Sequence, residues 1–288
     1  MKHILVTGGA GFIGTNLVKR LKTDGHAVVV LDNYIAGKHD NEIEGVTYIN
    51  DETRNIDSIT LPFKPDVVFH LGEYSRIHPS FKEYETVWRC NTLGTFEIIN
   101  YCSKNNIKIV YAGSSTKFAW EGVDHSPYSL TKSMSLELVK AFSKWYGLKY
   151  SICYFYNVFG PGHNSSPVKG FESVISVFEQ QYLNKQAITV SGTGDQERMF
   201  TYVGDIVDGL IRSWHYEHNE EFELGNPKLY KIIDIAKMFS DNIVFVEARK
   251  GDRNGSVITE PNRTKDLLGW EPTIDVDHWI QDFKTKCK

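Results

Sequence analysis

The stretch HILVTGGAGFIG, residues 3–14, decides the fold of this chain. Its first five residues are mostly apolar and predict a buried strand, and a helix is predicted over residues 12–24. Between them, Gly8, Gly11 and Gly14 are spaced as GxxGxxG. The first glycine permits a tight turn, the second lets backbone amides approach a pyrophosphate, and the third lets helix and strand pack closely. A strand, a glycine-rich turn and a helix start in this order predict a dinucleotide-binding site.

A carboxylate at the end of the next strand indicates which dinucleotide binds. Residues 27–31 predict a second buried strand, and Asp32 follows it, eighteen residues after Gly14. A carboxylate at this place accepts hydrogen bonds from the adenosine ribose hydroxyls, and it repels the 2′-phosphate of NADP. Because no arginine stands beside Asp32 to reverse that repulsion, we predict NAD as the cofactor.

The alternation of apolar runs and amphipathic segments predicts the fold class. Further strands are predicted over residues 66–71, 107–112 and 150–156, and further helices over 80–105 and 128–147. This order predicts an α/β fold, a Rossmann-type doubly wound parallel sheet. The pattern loosens from about residue 160. We therefore predict an NAD-binding domain over residues 1–160 and a smaller mixed α/β substrate-binding region over 161–288, interleaved with the first.

Composition narrows the possible partners. The 288 residues are 41% hydrophobic, which provides for a sizeable core, and the net charge of −4 argues against a nucleic-acid partner. The N-terminus lacks the features of a signal peptide and no apolar stretch approaches about 20 residues, so we expect a cytoplasmic protein without a membrane partner. The four cysteines are not closely spaced, and we expect no metal site.

A second stretch, YAGSSTKFAWEGVDHSPYSLTK, residues 111–132, predicts the chemistry. Ser114 ends a predicted strand, at the edge of the sheet where doubly wound folds bind ligands. Tyr128 and Lys132 are four residues apart on the next helix and therefore share a face. A neighbouring ammonium lowers the pKa of a phenol from its ordinary value near 10, which makes a usable base. Ser114 is suited to hold the substrate oxygen, so these three residues are the candidate catalytic set.

Taken together, these motifs resemble the extended short-chain dehydrogenase/reductase family, the NAD-dependent epimerase/dehydratase group. The resemblance runs nearly the whole length of the chain, which makes it more specific than any single motif. It is carried, in family order, by VTGGAGFIG, DVVFHLGEYSRIHPS, WRCNTLGTFEIIN, YSLTK, YFYNVFGPG, RMFTYVGDIVDGL, EARKGD and LLGWEP.

The resemblance implies oxidation of a nucleotide-activated sugar, usually at C4. Tyr128 would take the proton of the sugar hydroxyl while hydride passes to the nicotinamide. Lys132 would also grip the nicotinamide ribose, and Ser114 would steady the reacting oxygen. The sequence does not name the nucleotide base or the sugar.

The resemblance also implies binding residues. Asp51 and Glu52 occupy the place where the family contacts adenine, and Arg198 and Arg249 match arginines that clasp the substrate diphosphate. Asn157 matches an asparagine that contacts the same substrate. The remaining cofactor-binding candidates are Gly8, Gly11, Phe12, Ile13, Gly14, Asp32, Asn33, Leu71 and Gly72, together with Tyr128 and Lys132.

The two residues after the catalytic serine bear on the reaction type. Ser115 and Thr116, both candidate substrate contacts, stand where the 4,6-dehydratases of the family carry an Asp-Glu pair and where sugar-acid decarboxylases carry a Glu. Hydroxyls cannot act as the general acid and base of an elimination near pH 7. The nearest family pattern is the Ser-Ala-Thr of UDP-galactose 4-epimerase. We therefore predict a 4-epimerase or 4-dehydrogenase, with a dehydratase, a decarboxylase or a non-catalytic NAD-binding regulator as alternatives.

Three departures from the family pattern leave alternatives open. Glu73 stands where the family has a small residue, and it either pairs with Arg76 or acts as an additional acid or base. Lys117 is either a solvated lysine or a substrate contact. The link from Ser114 to Tyr128 is shorter than usual, which trims a loop over the sugar site and would ease release of a keto sugar.

Two long helices suggest how the chain assembles. Family members commonly pair the helices corresponding to residues 80–105 and 128–147 across a two-fold axis. The resemblance therefore implies a homodimer formed through a four-helix bundle.

Overall fold

The computed structural model describes residues 1–163 and 171–287. Its strands are β1 (His3–Thr7), β2 (Ala27–Asp32), β3 (Thr47–Asn50), β4 (Val67–His70), β5 (Lys108–Ser114), β6 (Tyr150–Phe155), β7 (Val158–Phe159), β8 (Ile188–Ser191), β9 (Glu197–Met199), β10 (Thr201–Tyr202), β11 (Glu220–Leu224), β12 (Leu229–Lys231) and β13 (Ile243–Val246). Its α-helices are α1 (Phe12–Thr23), α2 (Ile77–Ser80), α3 (Tyr84–Trp88), α4 (Thr95–Asn105), α5 (Pro127–Tyr146), α6 (Val174–Leu183), α7 (Val203–His215), α8 (Ile232–Phe239), α9 (Arg263–Leu268) and α10 (Val276–Lys286). Short 3₁₀ turns cover His39–Asn41, Thr53–Ser58 and Ser115–Phe118.

A seven-stranded parallel sheet forms the centre of the molecule. Its strand order is β3-β2-β1-β4-β5-β6-β11, and every pairing in it is parallel. The order reverses between β1 and β4, which opens a crevice beyond the carboxyl ends of these two strands. The predicted doubly wound fold is confirmed. The edge strand β3 was not predicted, because it is only four residues long and its side chains are exposed or half-buried.

The two faces of the sheet bury alternate residues of each strand. In β1, Ile4 and Val6 pack on the side of α1 and α7, and Leu5 packs on the side of α4 and α5. All three side chains are fully buried. Full burial of an aliphatic side chain contributes about 1.5–3 kcal/mol, so helices on both faces are required to stabilise the sheet.

The helix predicted over residues 80–105 begins at Tyr84 instead and is interrupted by an irregular turn. Helix α2 ends at Ser80, a turn follows, and α3 continues into α4 through a π-helical turn, Arg89–Gly94. This turn carries the buried side chain of Asn91, which accepts from the Tyr74 amide (2.6 Å) and donates to the Tyr74 carbonyl (3.1 Å). A buried amide requires such partners, so the irregular turn follows from a long-range contact that helical periodicity does not contain.

The later half of the chain builds a second core. Helices α6, α8 and α10 enclose it with three two-stranded sheets, β7-β10, β9-β12 and β8-β13. Strand β11 nevertheless pairs with β6 in the large sheet. The division at residue 160 stays a prediction. If the chain is divided there, each of the two regions contributes strands to the large sheet. In the part of the chain that the structure describes, no helix combines the length and apolarity needed to cross a bilayer.

The start of α1 generates a prediction about stability. A Cβ on Gly14 would lie 2.0 Å from the Gly8 carbonyl oxygen, whereas a Cβ on Gly11 comes no closer than 3.4 Å to that atom. Because backbone cannot yield as a flexible side chain does, Gly14→Ala is expected to lower the free energy of unfolding by about 2–3 kcal/mol.

The matched control is Gly11→Ala, for which loss of the glycine cap should cost only about 1 kcal/mol. Urea unfolding of the cofactor-free protein measures both. Equal losses in the two variants would contradict the close packing of α1 on the glycine turn.

Candidate active site

The glycine-rich turn forms the floor of a cavity at the reversal point of the sheet. Gly8 has a φ of +72°, and a Cβ there would lie 2.7 Å from the Leu71 carbonyl oxygen. Gly11 is the N-cap of α1, and no side chain caps the amides of its first turn. The turn therefore leaves a helix N-terminus open toward the cavity, an arrangement suited to a pyrophosphate.

The carboxylate of Asp32 is fastened at the end of β2. Its Oδ2 accepts from the Ala10 amide (2.9 Å) and its Oδ1 from the Tyr34 amide (2.8 Å). Burial raises the pKa of this carboxyl, and the two amide hydrogen bonds oppose the rise. The side chain is thereby held against the glycine turn, where the ribose of a dinucleotide would meet it.

One cavity brings together most of the predicted cofactor residues. It is lined by Gly8, Gly11, Phe12, Ile13, Gly14, Asp32, Asn33, Leu71, Gly72, Tyr128 and Lys132. Asp51 and Glu52 follow β3 and lie outside this lining. Asp51 accepts from Asn55 (2.7 Å), which lowers the pKa of its carboxyl, and Glu52 pairs with Arg54 (2.6 Å). Their predicted contact with adenine stays a prediction.

The start of α5 places Tyr128 and Lys132 in this cavity. Ser126 caps the helix by accepting from the Ser129 amide, and Pro127 occupies the first helical position. Ser114 lies at the end of β5, directly after Gly113, which lines the same cavity. Its hydroxyl is buried and accepts from the Thr116 hydroxyl (3.1 Å). The three candidate catalytic residues thus converge at one edge of the sheet.

Glu73 has a different partner from the one expected. Its carboxylate pairs with Lys132, whose ammonium also donates to the Ala112 carbonyl. The expected pair with Arg76 is wrong, because the Arg76 guanidinium turns away and its Nε donates to the Phe171 carbonyl (2.7 Å). A contact between residues 73 and 132 joins two distant segments, so local spacing could not reveal it.

A buried chain of hydrogen bonds supports Glu73 from behind. Thr95 donates to Glu73 Oε1 (2.9 Å), so its oxygen accepts from His70 Nε2 (2.9 Å). His70 Nδ1 then accepts from the Thr7 hydroxyl (2.7 Å), and that oxygen accepts from the Gly72 amide (3.0 Å). Burial lowers the pKa of His70 to about 3, and the charge of Lys132 acts in the same direction. His70 is therefore neutral.

Lys117 is half-buried and paired rather than freely solvated, and its contact with a substrate stays a prediction. Its ammonium donates to Tyr154 Oη (3.0 Å) and pairs with Glu221 (3.2 Å), which also pairs with Lys140 (2.6 Å). Burial lowers the pKa of Lys117. It lines a separate cleft with Phe118, so it is neither freely solvated nor part of the cavity that contains Tyr128.

Two of the predicted substrate residues, Arg198 and Arg249, contact or belong to the loop before α9. Arg198 donates to the carbonyls of Arg253 (2.6 Å) and Asn254 (3.3 Å), and burial lowers its pKa to about 10. Arg249 is exposed at the start of this loop. Asn157 donates to the Met199 carbonyl (2.9 Å), beside β9. The side chain of Arg198 thus contacts the loop that also contains Arg249, and the contact of the two arginines with a diphosphate stays a prediction.

Sequence reasoning missed Arg253, which is 7% exposed. Its Nη1 finds no hydrogen-bond partner among the residues that the structure describes. Burial lowers the pKa of the guanidinium, and the nearby hydroxyl of Tyr128 acts in the opposite direction. Residues 249–253 form a turn rather than a helix, so no periodic spacing marks Arg253 in the sequence.

The short link between Ser114 and Tyr128 is tied to the loop that carries Arg253. Ala119 bridges to Ser256, and Glu121 accepts from the Asn254 amide (2.6 Å). The Trp120 ring also packs against Gly255, where a Cβ would lie 2.9 Å from it. Residues 119–121 of the short link are therefore packed against residues 254–256 of the loop.

Comparison with known proteins bears on this arrangement. A profile of the NAD dependent epimerase/dehydratase family matches residues 4–225. A putative UDP-glucose 4-epimerase of Methanocaldococcus jannaschii is 30% identical over 298 residues, 96% of each protein. UDP-glucuronic acid decarboxylase 2 of Arabidopsis thaliana is 28% identical over 310 residues, 99% of this chain and 68% of that protein. The crystal structure of UDP-glucose 4-epimerase from Thermotoga maritima with UDP-glucose matches with a TM-score of 0.88 at 25% identity, covering 99% of this chain and 100% of that one. These matches confirm the expected resemblance and NAD as the cofactor, without selecting one reaction.

The buried His70 predicts a pH dependence of stability. Its pKa is about 3 when folded against an ordinary value of 6.5, so between these values only the unfolded chain binds the proton. Proton binding by the unfolded chain favours unfolding. The free energy of unfolding is therefore highest above pH 6.5 and falls as the pH drops toward 3. At pH 5 the loss is about 2 kcal/mol.

The measurement compares the parent with His70→Gln, whose amide offers a donor and an acceptor but does not titrate. Urea unfolding at pH 7.5 and pH 5.0 gives the free energy of unfolding of each protein. The parent should lose about 2 kcal/mol more than the variant between the two pH values. Equal losses would mean that His70 takes up its proton within the folded protein.

Proposed function

The chain belongs to the NAD-dependent epimerase/dehydratase family, and we propose that it is a 4-epimerase of a nucleoside-diphosphate sugar. The observation that carries the proposal is the position of Tyr128 and Lys132 in the cavity, with Ser114 at the end of β5 directly after Gly113 of its lining, and hydroxyl side chains instead of carboxylates at the next two positions. A complete set of this kind is more than a non-catalytic NAD-binding regulator requires.

The cavity fits the cofactor of the family. The open N-terminus of α1 would receive the pyrophosphate, Asp32 the adenosine ribose hydroxyls, and Lys132 the nicotinamide ribose. When bound, NAD accepts hydride from the sugar carbon and supplies it for the return. The backbone contacts of Gly8 and Gly14 leave no room for side chains on this floor.

In the proposed reaction, Tyr128 moves the proton and the side chains around it position the reacting oxygen. Tyr128 takes the proton of the C4 hydroxyl as C4 is oxidised to a ketone and returns it when the ketone is reduced. Lys132 lies one helical turn after Tyr128 on α5, and the buried guanidinium of Arg253 interacts electrostatically with the Tyr128 hydroxyl. Ser114 steadies the reacting oxygen, and Thr116, which donates to it, orients the Ser114 hydroxyl.

Elimination and decarboxylation receive less support. Ser115 and Thr116 are buried hydroxyls at the two positions where carboxylates would be needed. The carboxylate of Glu73 is engaged by Lys132, Thr95 and Tyr111, so its oxygens are not free to serve as an additional base. We therefore rank decarboxylation below epimerisation, even though a UDP-glucuronic acid decarboxylase is among the relatives.

The tied link favours epimerisation over net oxidation. Release of a keto sugar requires the cover over the site to open, and contacts of residues 119–121 with residues 254–256 oppose that opening. A 4-dehydrogenase is therefore the second choice. Since the three proteins compared above are named for UDP-sugars, we propose a UDP-sugar substrate held by Arg198 and Arg249.

We also propose the homodimer and a cytoplasmic location. Large apolar side chains are exposed along α3 and α4 at Tyr84, Trp88 and Phe96. A second exposed stripe follows α5 at Leu130, Met134 and Trp145. Apolar stripes on neighbouring helices mark a protein interface, and a second copy would bury both in a four-helix bundle.

Tyr128→Phe tests the chemistry. Because the variant lacks the proton acceptor, conversion of UDP-sugars should fall about 10²–10⁴-fold while NAD stays bound. Tyr146→Phe is the matched control, since Tyr146 is an exposed tyrosine at the far end of the same helix and should keep the parent rate. A Tyr128→Phe variant as fast as the parent would contradict the mechanism.

Reaction in deuterated water separates the reaction types. A 4-epimerase gives an isomer with no carbon-bound deuterium, because hydride returns from the cofactor. A 6-deoxy-4-keto product with deuterium at C5 would instead mean a dehydratase, and a stable 4-keto product that has kept its water would mean a dehydrogenase. Mass spectrometry of the products distinguishes these outcomes.

Light scattering at micromolar concentration tests the dimer. The parent is expected at twice the mass of one chain, and Trp145→Glu at the mass of one chain, because a carboxylate cannot be buried in the bundle. Trp120→Glu is the control, since the two tryptophans are 60% and 58% exposed and Trp120 lies outside the apolar stripes. A monomeric parent would remove the dimer proposal.

A further inference from the structure

Glu73 places a buried negative charge beside the candidate catalytic lysine. The side chains of Glu73 and Lys132 are 4% and 5% exposed, and both line the cavity that contains Asp32 and Tyr128. A buried ion pair persists only where further hydrogen bonds satisfy its atoms. The surroundings of Glu73 therefore decide whether the pair is a lasting feature of the cavity.

Within residues 1–163 and 171–287, every hydrogen-bond partner of the Glu73 carboxylate is a donor. Oε1 accepts from Thr95 (2.9 Å) and from Tyr111 Oη (3.0 Å), and Oε2 accepts from Lys132. Burial and the carboxylate together raise the pKa of Tyr111 well above its ordinary value, so Tyr111 remains a donor. Such a set of donors suits a carboxylate anion, which accepts hydrogen bonds but cannot donate one.

Glu73 cancels the positive charge that Lys132 would otherwise place near the nicotinamide. Under the proposed function, hydride leaves C4 of the sugar and the proton leaves the oxygen bonded to C4. The nicotinamide that receives the hydride therefore lies near Tyr128, which receives the proton. The lysine alone would contribute one positive charge there, and with Glu73 the sum is zero. An oxidised nicotinamide ring carries a positive charge and a reduced ring carries none, so buried charge at this place discriminates between the two forms.

We propose that Glu73 sets the redox balance of the bound cofactor by stabilising its oxidised form relative to its reduced form. The inference rests on the proposed function and deepens it. Oxidation takes two electrons and a hydrogen from C4 as hydride and one proton to Tyr128, and the return reverses both. By opposing the accumulation of reduced cofactor, Glu73 favours return of hydride to the ketone before the ketone escapes.

The test measures which form of the cofactor the protein prefers, without any sugar. The parent and Glu73→Gln are each equilibrated by dialysis at pH 6.5 against an equimolar mixture of NAD⁺ and NADH, then denatured. Chromatography of the released cofactor gives the bound ratio. In the Gln variant, the ratio of NAD⁺ to NADH is expected to fall roughly tenfold, because the charge of Lys132 is then uncompensated.

Tyr111→Phe is the matched control. It removes a hydrogen bond to the same carboxylate but no charge, so its bound ratio should stay within about twofold of the parent, a change too small for a lost unit charge. An unchanged ratio in Glu73→Gln, or an equal shift in Tyr111→Phe, would overturn the proposal and leave Glu73 a purely structural residue.

The proposed function fails in a different way. A parent protein that binds the cofactor and shows the expected ratio, yet converts no UDP-sugar, would contradict the epimerase proposal while the role of Glu73 stands. An active epimerase whose bound ratio ignores Glu73→Gln would contradict only the role of Glu73.

Discussion

The buried chain of hydrogen bonds from Thr7 to Lys132 holds the site together. Thr7 and His70 are register partners at the ends of β1 and β4, and Thr95 and Glu73 carry the chain to Lys132 on α5. Each member is buried, so each requires its neighbour, and a change at one end is felt at the other. The orientation of Lys132 thus depends on the sheet itself.

Sequence spacing was sufficient for the parts of the site that are local. The glycine turn, Asp32 at the end of β2 and the i,i+4 pair on α5 are each defined within a few residues, and the structure brings them to one cavity. The partner of Glu73, the π-helical turn around Asn91 and the buried Arg253 were not predictable in this way. Each depends on a contact between segments far apart in the chain, which no periodicity records.

The later half of the chain carries the residues predicted to bind the substrate diphosphate. Arg198 supports the loop that contains Arg253, and the short link before α5 is tied to the same loop. This loop therefore connects the predicted diphosphate residues to the surroundings of Tyr128. We expect the sequence of this loop to determine specificity for the sugar, and the residues at the carboxyl edge of the sheet to determine the type of reaction.

The most direct test of the account follows the hydrogen on C4. A UDP-sugar that the protein converts is supplied with deuterium at C4, and the product is examined by mass spectrometry and NMR. If hydride leaves C4 and returns to the same carbon, the epimerised product retains the deuterium at C4. A product in which hydrogen from solvent has replaced it would contradict oxidation and reduction at C4 by a cofactor that stays bound.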